Sequence, residues 1–298
     1  MKKEKLQNRK LHKASVSDIL IFAFFVLISL SMLIPFWNTL VTSLSPESEN
    51  MEPVFRLFPK TVSLDGYKGI LAQDKLIRGF GINVFITVFG TFLHVFFSCI
   101  AGYALSQGDF RGKRAIMNLI LISMVLPGQV MMVPTFILYR DMGLLDNILV
   151  MVVSGMVTAY SILLFRNFFM SIPKAVHDAA VVDGAGEFRI LFRVYLPMSK
   201  AGVATVTLFQ LVGRWNTFFE GVLYINSSSK QPLQVVLNEI VATFANNNPG
   251  ASAAVSGGML GKNIQSASVI LSMLPLLIIY PILQRYFVRG IILGSVKE

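Results

Sequence analysis

Apolar residues in this chain come in long runs, separated by shorter polar and mostly basic connections. Six runs, near 17–41, 81–105, 115–138, 148–169, 201–223 and 268–287, have the roughly twenty-residue length an α-helix needs to cross a hydrocarbon core about 30 Å thick. Lipid offers the backbone no hydrogen-bond partner, so such runs cross as helices. The pattern predicts an all-α membrane protein with about six transmembrane helices. Pro127 and Pro134 in the third run, and Pro275 and Pro281 in the sixth, predict kinks. The largest polar interruptions are 43–78 and 226–265.

Composition supports this reading. The 298 residues are 54% hydrophobic and only 14% charged, with a mean hydropathy of +0.65, too apolar for a water-covered surface. No long polar block divides the chain, so residues 1–298 read as a single membrane domain. The formal charge of +10 does not point to nucleic acid, because the Lys and Arg residues sit at the ends of apolar runs without interleaved aromatics. With the N-terminus inside the cell, that side collects Lys2, Lys3, Lys5, Arg9, Lys10, Lys13, Arg111, Lys113 and Arg114. The connection before the fifth run adds Arg166, Lys174, Arg189, Arg193 and Lys200, and the C-terminus adds Arg285, Arg289 and Lys297. The bias is about two to one and places both termini in the cytoplasm. The basic start is long and its apolar run continues to about residue 41 without a small-x-small site, which predicts a retained first helix. The single cysteine, Cys99, lies inside an apolar run and reads as a small buried hydrophobe.

Two polar stripes fall within the runs. Asn83, Thr87, Gly90 and His94 occupy i, i+4, i+7 and i+11, as do Gln210, Arg214, Thr217 and Gly221 with similar spacing. Each fits either a packing seam between helices or the lining of a wet pathway. Arg214 costs about 3 kcal/mol at membrane depth, so it should face protein or water, with Glu220 as a candidate partner. Asn83, Thr87, Gln210, Arg214 and Asn216 are the candidate pathway residues.

Catalytic chemistry is missing from the pattern. His12, His94 and His177 lack ligand spacing, so no metal site is expected. No GxSxG elbow occurs. The stretch from Gly257 to Asn263 superficially resembles a phosphate loop, but its first glycine is one residue too close and Asn263 replaces the Ser or Thr that would hold magnesium. Apart from Asp18 and Glu220, each near an end of its run, no acid lies within a run, whereas proton-driven carriers place carboxylates at membrane depth. The energy source is therefore expected to act from outside this chain.

The longest connection on the basic side, 171–197, reads as two short helices around a turn. Ser171 is the expected cap of the first, with Pro173 in its first turn, and Gly184 can take the left-handed conformation that ends it. The second is expected to start near Glu187 and stop before Pro197, with Phe188, Leu191, Phe192 and Tyr195 on one face and Arg189 and Arg193 on another. Such a helix either lies on anionic lipid or docks in a partner's groove.

The run Asp178-Ala179-Ala180, then Asp183-Gly184-Ala185, then Phe192, Leu196 and Pro197 resembles the coupling loop of ABC-importer permeases. That pattern has Glu-Ala-Ala, three residues ending in Asp, Gly-Ala, then Phe and Leu-Pro. Asp178 stands for the usual Glu, and Ala201 stands where a second proline is common. Trp215-Asn216 with Phe218 and Phe219, and the tail 285–297 with Gly290, Gly294 and Lys297, resemble the carbohydrate branch of the maltose-permease kind. Tyr224-Ile225-Asn226 followed by Gln231-Pro232-Leu233-Gln234 resembles the subgroup associated with oligosaccharide or polysaccharide fragments.

The resemblance implies a type I ABC-importer permease of the MetI-like fold in a bacterial cytoplasmic membrane. It also implies a second related permease as partner in a heterodimer, two ATPase subunits that bind ATP and magnesium, and an extracytoplasmic solute-binding protein. No cofactor and no catalysis are implied for this chain. Asp178, Ala179, Ala180, Asp183, Gly184, Ala185, Phe188, Phe192, Leu196 and Pro197 would meet the ATPase, as would Gly294, Ser295 and Lys297 at the C-terminus. The outer loop 226–265 would reach toward the binding protein's sugar cleft, or serve only as a connector.

Overall fold

The computed structural model describes residues 16–50, 55–245 and 261–295. They are helical with no strand among them, and they form two compact units.

The first unit holds α1 (Val16–Ser43), α2 (Glu47–Asn50), the start of α3 (Asp65–Leu71) and the first turns of α15 (Lys262–Ser295). α1 is apolar around its circumference, and residues from Ile19 to Phe36 bury almost nothing against the protein. A helix greasy on every side needs lipid or another helix around it. Its C-terminal end is built differently. Ser43 and Ser45 are buried, the Ser43 and Tyr67 hydroxyls are 3.0 Å apart, and the Trp37 indole donates to the Leu57 carbonyl. Glu49 collects the Thr61 hydroxyl and the Lys60 and Thr61 amides. The Thr61 hydroxyl bond is the main reason its carboxyl sits below the usual range.

The second unit is organised around α4 (Asp74–Ser106), whose buried stripe includes Asn83, Ile86, Gly90, His94, Cys99 and Gly102. Against it pack α7 (Ile148–Val153), α8 (Ala159–Met170), α12 (Lys200–Trp215) and α14 (Leu233–Ala245). Small residues set the approach: a Cβ on Gly102 would meet Phe165 Cβ at 2.6 Å, the close packing that replaces hydrophobic drive between helices in lipid. α14 lies inside the segment read as the outer loop. It buries Leu233, Val236 and Ile240, and Lys75 of α4 pairs with its Glu239.

Among the described residues three helices, α1, α4 and the 262–282 part of α15, are each long and apolar enough to cross a membrane. The other expected crossings are broken. α5 (Lys113–Val125) and α6 (Gly128–Asp141) meet at 108°. Pro127 thus breaks the run rather than kinking it, because a residue before proline is pushed out of the helical region and Leu126 sits at ψ 121. Pro134, Pro275 and Pro281 lie inside helices that continue through them. α7 and α8 are separated at 154–158, where Gly155 has φ +64. α12 and α13 (Phe219–Tyr224) are separated at 216–218.

Candidate functional site

The segment after α8 folds into α9 (Lys174–Val182), α10 (Glu187–Ile190), a π-helical turn (Leu191–Tyr195) and α11 (Leu196–Met198). Ser171 does not cap α9; its hydroxyl donates back to the Phe168 carbonyl at 2.6 Å, and Pro173 takes the cap position. The expected stop is present: Gly184 has φ +76, with Ala185 N–H on the Ala180 carbonyl and Gly184 N–H on the Val181 carbonyl. This paired closure satisfies the last carbonyls of α9 and needs a residue at ease with positive φ.

The second helix does not stop before Pro197. Leu196 N–H reaches back to the Leu191 carbonyl, five residues away, and the widened turn takes up the crowding and missing donor that proline brings to a helix. The wider turn also changes the phase of the side chains. Leu191 and Tyr195 point inward with Ile190, into a core with Tyr103, Phe165, Phe169 and Val206. Phe188 is 66% exposed, and Phe192 faces out against Phe96. The single apolar face expected from spacing is therefore split.

Of the ten coupling candidates, Ala180, Ala185 and Leu196 pack on that core. Asp178, Ala179, Asp183, Gly184, Phe188, Phe192 and Pro197 are exposed. Val182, not anticipated from the sequence, is 86% exposed at the tip. The base is held by residues that spacing did not reveal. Tyr103, near the end of α4, donates to Glu187 at 2.5 Å, and His177 lies 3.6 Å from both Glu187 and Asp178. Gly294 and Ser295 fall in the final turn of α15, while Lys297 lies outside the described residues, as do Gly257 to Leu260 of the loop-like stretch.

The polar stripes converge inside the second unit. Arg214 is 6% exposed and donates to the Met151 carbonyl and, at 2.8 Å, to the Ser154 carbonyl. It does not form an ion pair with Glu220; its partners are carbonyls freed where α7 ends. His94 Nδ1–H donates to the Gly155 carbonyl at 2.9 Å, which leaves Nε2 to accept from the Ser161 hydroxyl at 2.7 Å. The break is therefore tolerated because α4 and α12 supply donors to it. Asn83 donates to the Trp215 carbonyl, and Thr87 is buried in the same seam. Gln210 is half-buried and Asn216 is exposed, its amide bonded to Val212. The α4 stripe is packed between helices.

A second anchor joins distant loops. Asp146, at φ +56, accepts from the Ser227 amide and hydroxyl and pairs with Lys230 at 2.9 Å. Ser227, then Lys230, hold its carboxyl well below the usual range.

Comparison with known proteins places these features. The profile of the family described as binding-protein-dependent transport system inner membrane component matches residues 94–293. The chain is 33% identical over 286 residues to the polygalacturonan/rhamnogalacturonan transport system permease protein YtcP of Bacillus subtilis (strain 168), covering 96% of this chain and 99% of that one. A chain from a bacterial ABC transporter involved in import of the acidic polysaccharide alginate superposes with a TM-score of 0.83 at 30% identity, covering 92% and 98% of the two chains. A chain of a bacterial alginate ABC transporter, solved with a pentasaccharide-bound periplasmic protein, shares the fold at a TM-score of 0.61 and 14% identity, covering 90% and 93%.

Proposed function

The chain belongs to the family of binding-protein-dependent transport system inner membrane components, and from that membership we infer that it is one permease subunit of an ATP-binding cassette importer for carbohydrate. The cargo is an oligosaccharide or polysaccharide fragment, in keeping with relatives named for polygalacturonan, rhamnogalacturonan and alginate. The subunit sits in the cytoplasmic membrane of a bacterium as a multi-pass protein, with both termini in the cytoplasm as the Lys and Arg bias favours. Its partners are a second related permease, two ATPase subunits that carry ATP and magnesium, and an extracytoplasmic binding protein. It is not itself catalytic.

The observation that carries this reading is the form of 174–198. A rigid hairpin presents Asp178, Asp183, Val182 and Phe188 outward, while Ile190, Leu191 and Tyr195 root it in the core shared by α4, α8 and α12. Exposed apolar side chains next to carboxylates suit a partner's cleft better than water. A push on the tip is then carried into the bundle, since packed cores move as bodies rather than deforming.

The test is uptake into proteoliposomes holding both permeases, the ATPases and the binding protein. Uptake should require internal ATP and persist when ionophores collapse ion gradients. Uptake that survives without ATPase subunits but fails with the gradient would identify an ion-driven carrier instead.

A further inference from the structure

The first unit contains a cavity of about 420 Å³, walled by one side of α1's C-terminal end, by Glu49, Asn50, Phe55 and Arg56, and by the first turns of α15. Ligand pockets commonly measure about 300–1,000 Å³. Its lining divides into groups already engaged and groups that are not. Ser45 donates to the Val41 carbonyl and Asn50 to the Thr42 and Ser45 carbonyls. Arg56 pairs with Glu49, and Lys262 donates to the Asn50 carbonyl. Asn38 and Thr42, one turn apart on α1, and Gln265 and Ser266 on α15 all line the space half-buried. Their side chains make no hydrogen bond to other described residues.

Two amides and two hydroxyls supply many donors and acceptors without net charge. Phe55, at the wall, adds an apolar face. Arg56 is neutralised by Glu49, whereas Lys262 keeps its charge while it donates to a carbonyl, so the wall carries one net positive charge rather than a cluster of bare cations. Uncharged hydroxyls and ring oxygens match what remains. We propose that this cavity is a transit subsite for one or two sugar units of the fragment being imported. The proposal rests on the reading above, which puts the C-terminal end of α1 and the N-terminal end of α15 on the outer face. Binding there is weak, on the order of millimolar, because a site on a transport route must release what it holds.

Trp37 precedes Asn38, and its indole is bonded to Leu57 beside the cavity wall. The chain has only one other tryptophan, Trp215. Fluorotryptophan placed in this subunit alone, within the assembled importer in nanodiscs, gives two resonances that Trp37→Phe assigns. Tri- to pentasaccharides of malto-, arabino- and galacturonate type should shift the Trp37 signal saturably and leave Trp215 unmoved. Asn38→Leu together with Gln265→Leu should weaken the response about tenfold, the loss of one or two neutral hydrogen bonds, with ATP hydrolysis unchanged. No shift with any saccharide, or a shift with glycerophosphoglycerol alone, overturns the subsite. ATP-driven uptake by the same preparation is read separately: its failure removes the importer reading, whereas intact uptake with a silent Trp37 removes only the subsite.

Discussion

Replacing Gly90 with alanine would put a methyl group 2.6 Å from the Arg214 guanidinium carbon. The guanidinium cannot step aside freely, because it is tied to the Met151 and Ser154 carbonyls at the end of α7. Making room breaks those bonds and leaves two carbonyls and a charge unsatisfied in the interior. Hydrogen bonds to a charged group contribute about 1.5–3 kcal/mol each, while alanine regains about 1 kcal/mol of helix propensity. The net expectation is a loss of about 2–5 kcal/mol for Gly90→Ala. With Arg214 already changed to Met, the same substitution should be neutral or stabilising, so a double-mutant cycle isolates the clash. Unfolding in mixed micelles with increasing SDS, followed by circular dichroism, gives the four stabilities. Equal cost in both backgrounds, or no cost beside native Arg214, would refute the reasoning.

Gly184→Asp, which forces a side chain into φ +76, and Ala179→Arg, which fills the outward face of α9, should each abolish ATP-dependent uptake while membrane insertion is unchanged; normal uptake by inserted protein would count against a coupling role. Tyr103→Phe removes the bond from α4 to Glu187 and should lower the sugar imported per ATP hydrolysed, with stability reduced by only about 1 kcal/mol because Glu187 is largely exposed. The Asp146 carboxyl is depressed by Ser227 and Lys230, so its contribution is full above the unfolded value of about 3.9 and fades as pH falls below it toward the folded value. Asp146→Asn should therefore speed proteolysis near 226–230 at neutral pH and lose that difference in strong acid.

The long apolar helices α1, α4 and α15 were legible because composition and length alone define them. The breaks in the other three runs were not. Hydropathy averages across an interruption such as 154–158, and Gly155 looks like any other small residue in lipid until its positive φ is seen. Arg214 reads as costly from its position alone, yet its nearest acid in sequence, Glu220, is not its hydrogen-bond partner. Backbone carbonyls have no sequence signature, and those of Met151 and Ser154 lie some sixty positions away. In the coupling segment Gly184 was readable because few residues tolerate its conformation. The turned-out Phe188 and Phe192 were not, because spacing groups residues on a face without saying which flank of it meets the core, and here Ile190, Leu191 and Tyr195 are the buried ones.

Mechanical contact between the 174–198 hairpin and an ATPase is tested most directly with a single cysteine at Val182, 86% exposed at the tip, in a Cys99→Ala background. Cross-linking in the reconstituted importer should join this subunit to the ATPase, stop uptake and be reversed by reductant. Attachment to lipid alone through the whole nucleotide cycle, or uptake that continues at full rate while the ATPase is cross-linked, would contradict coupling through this segment.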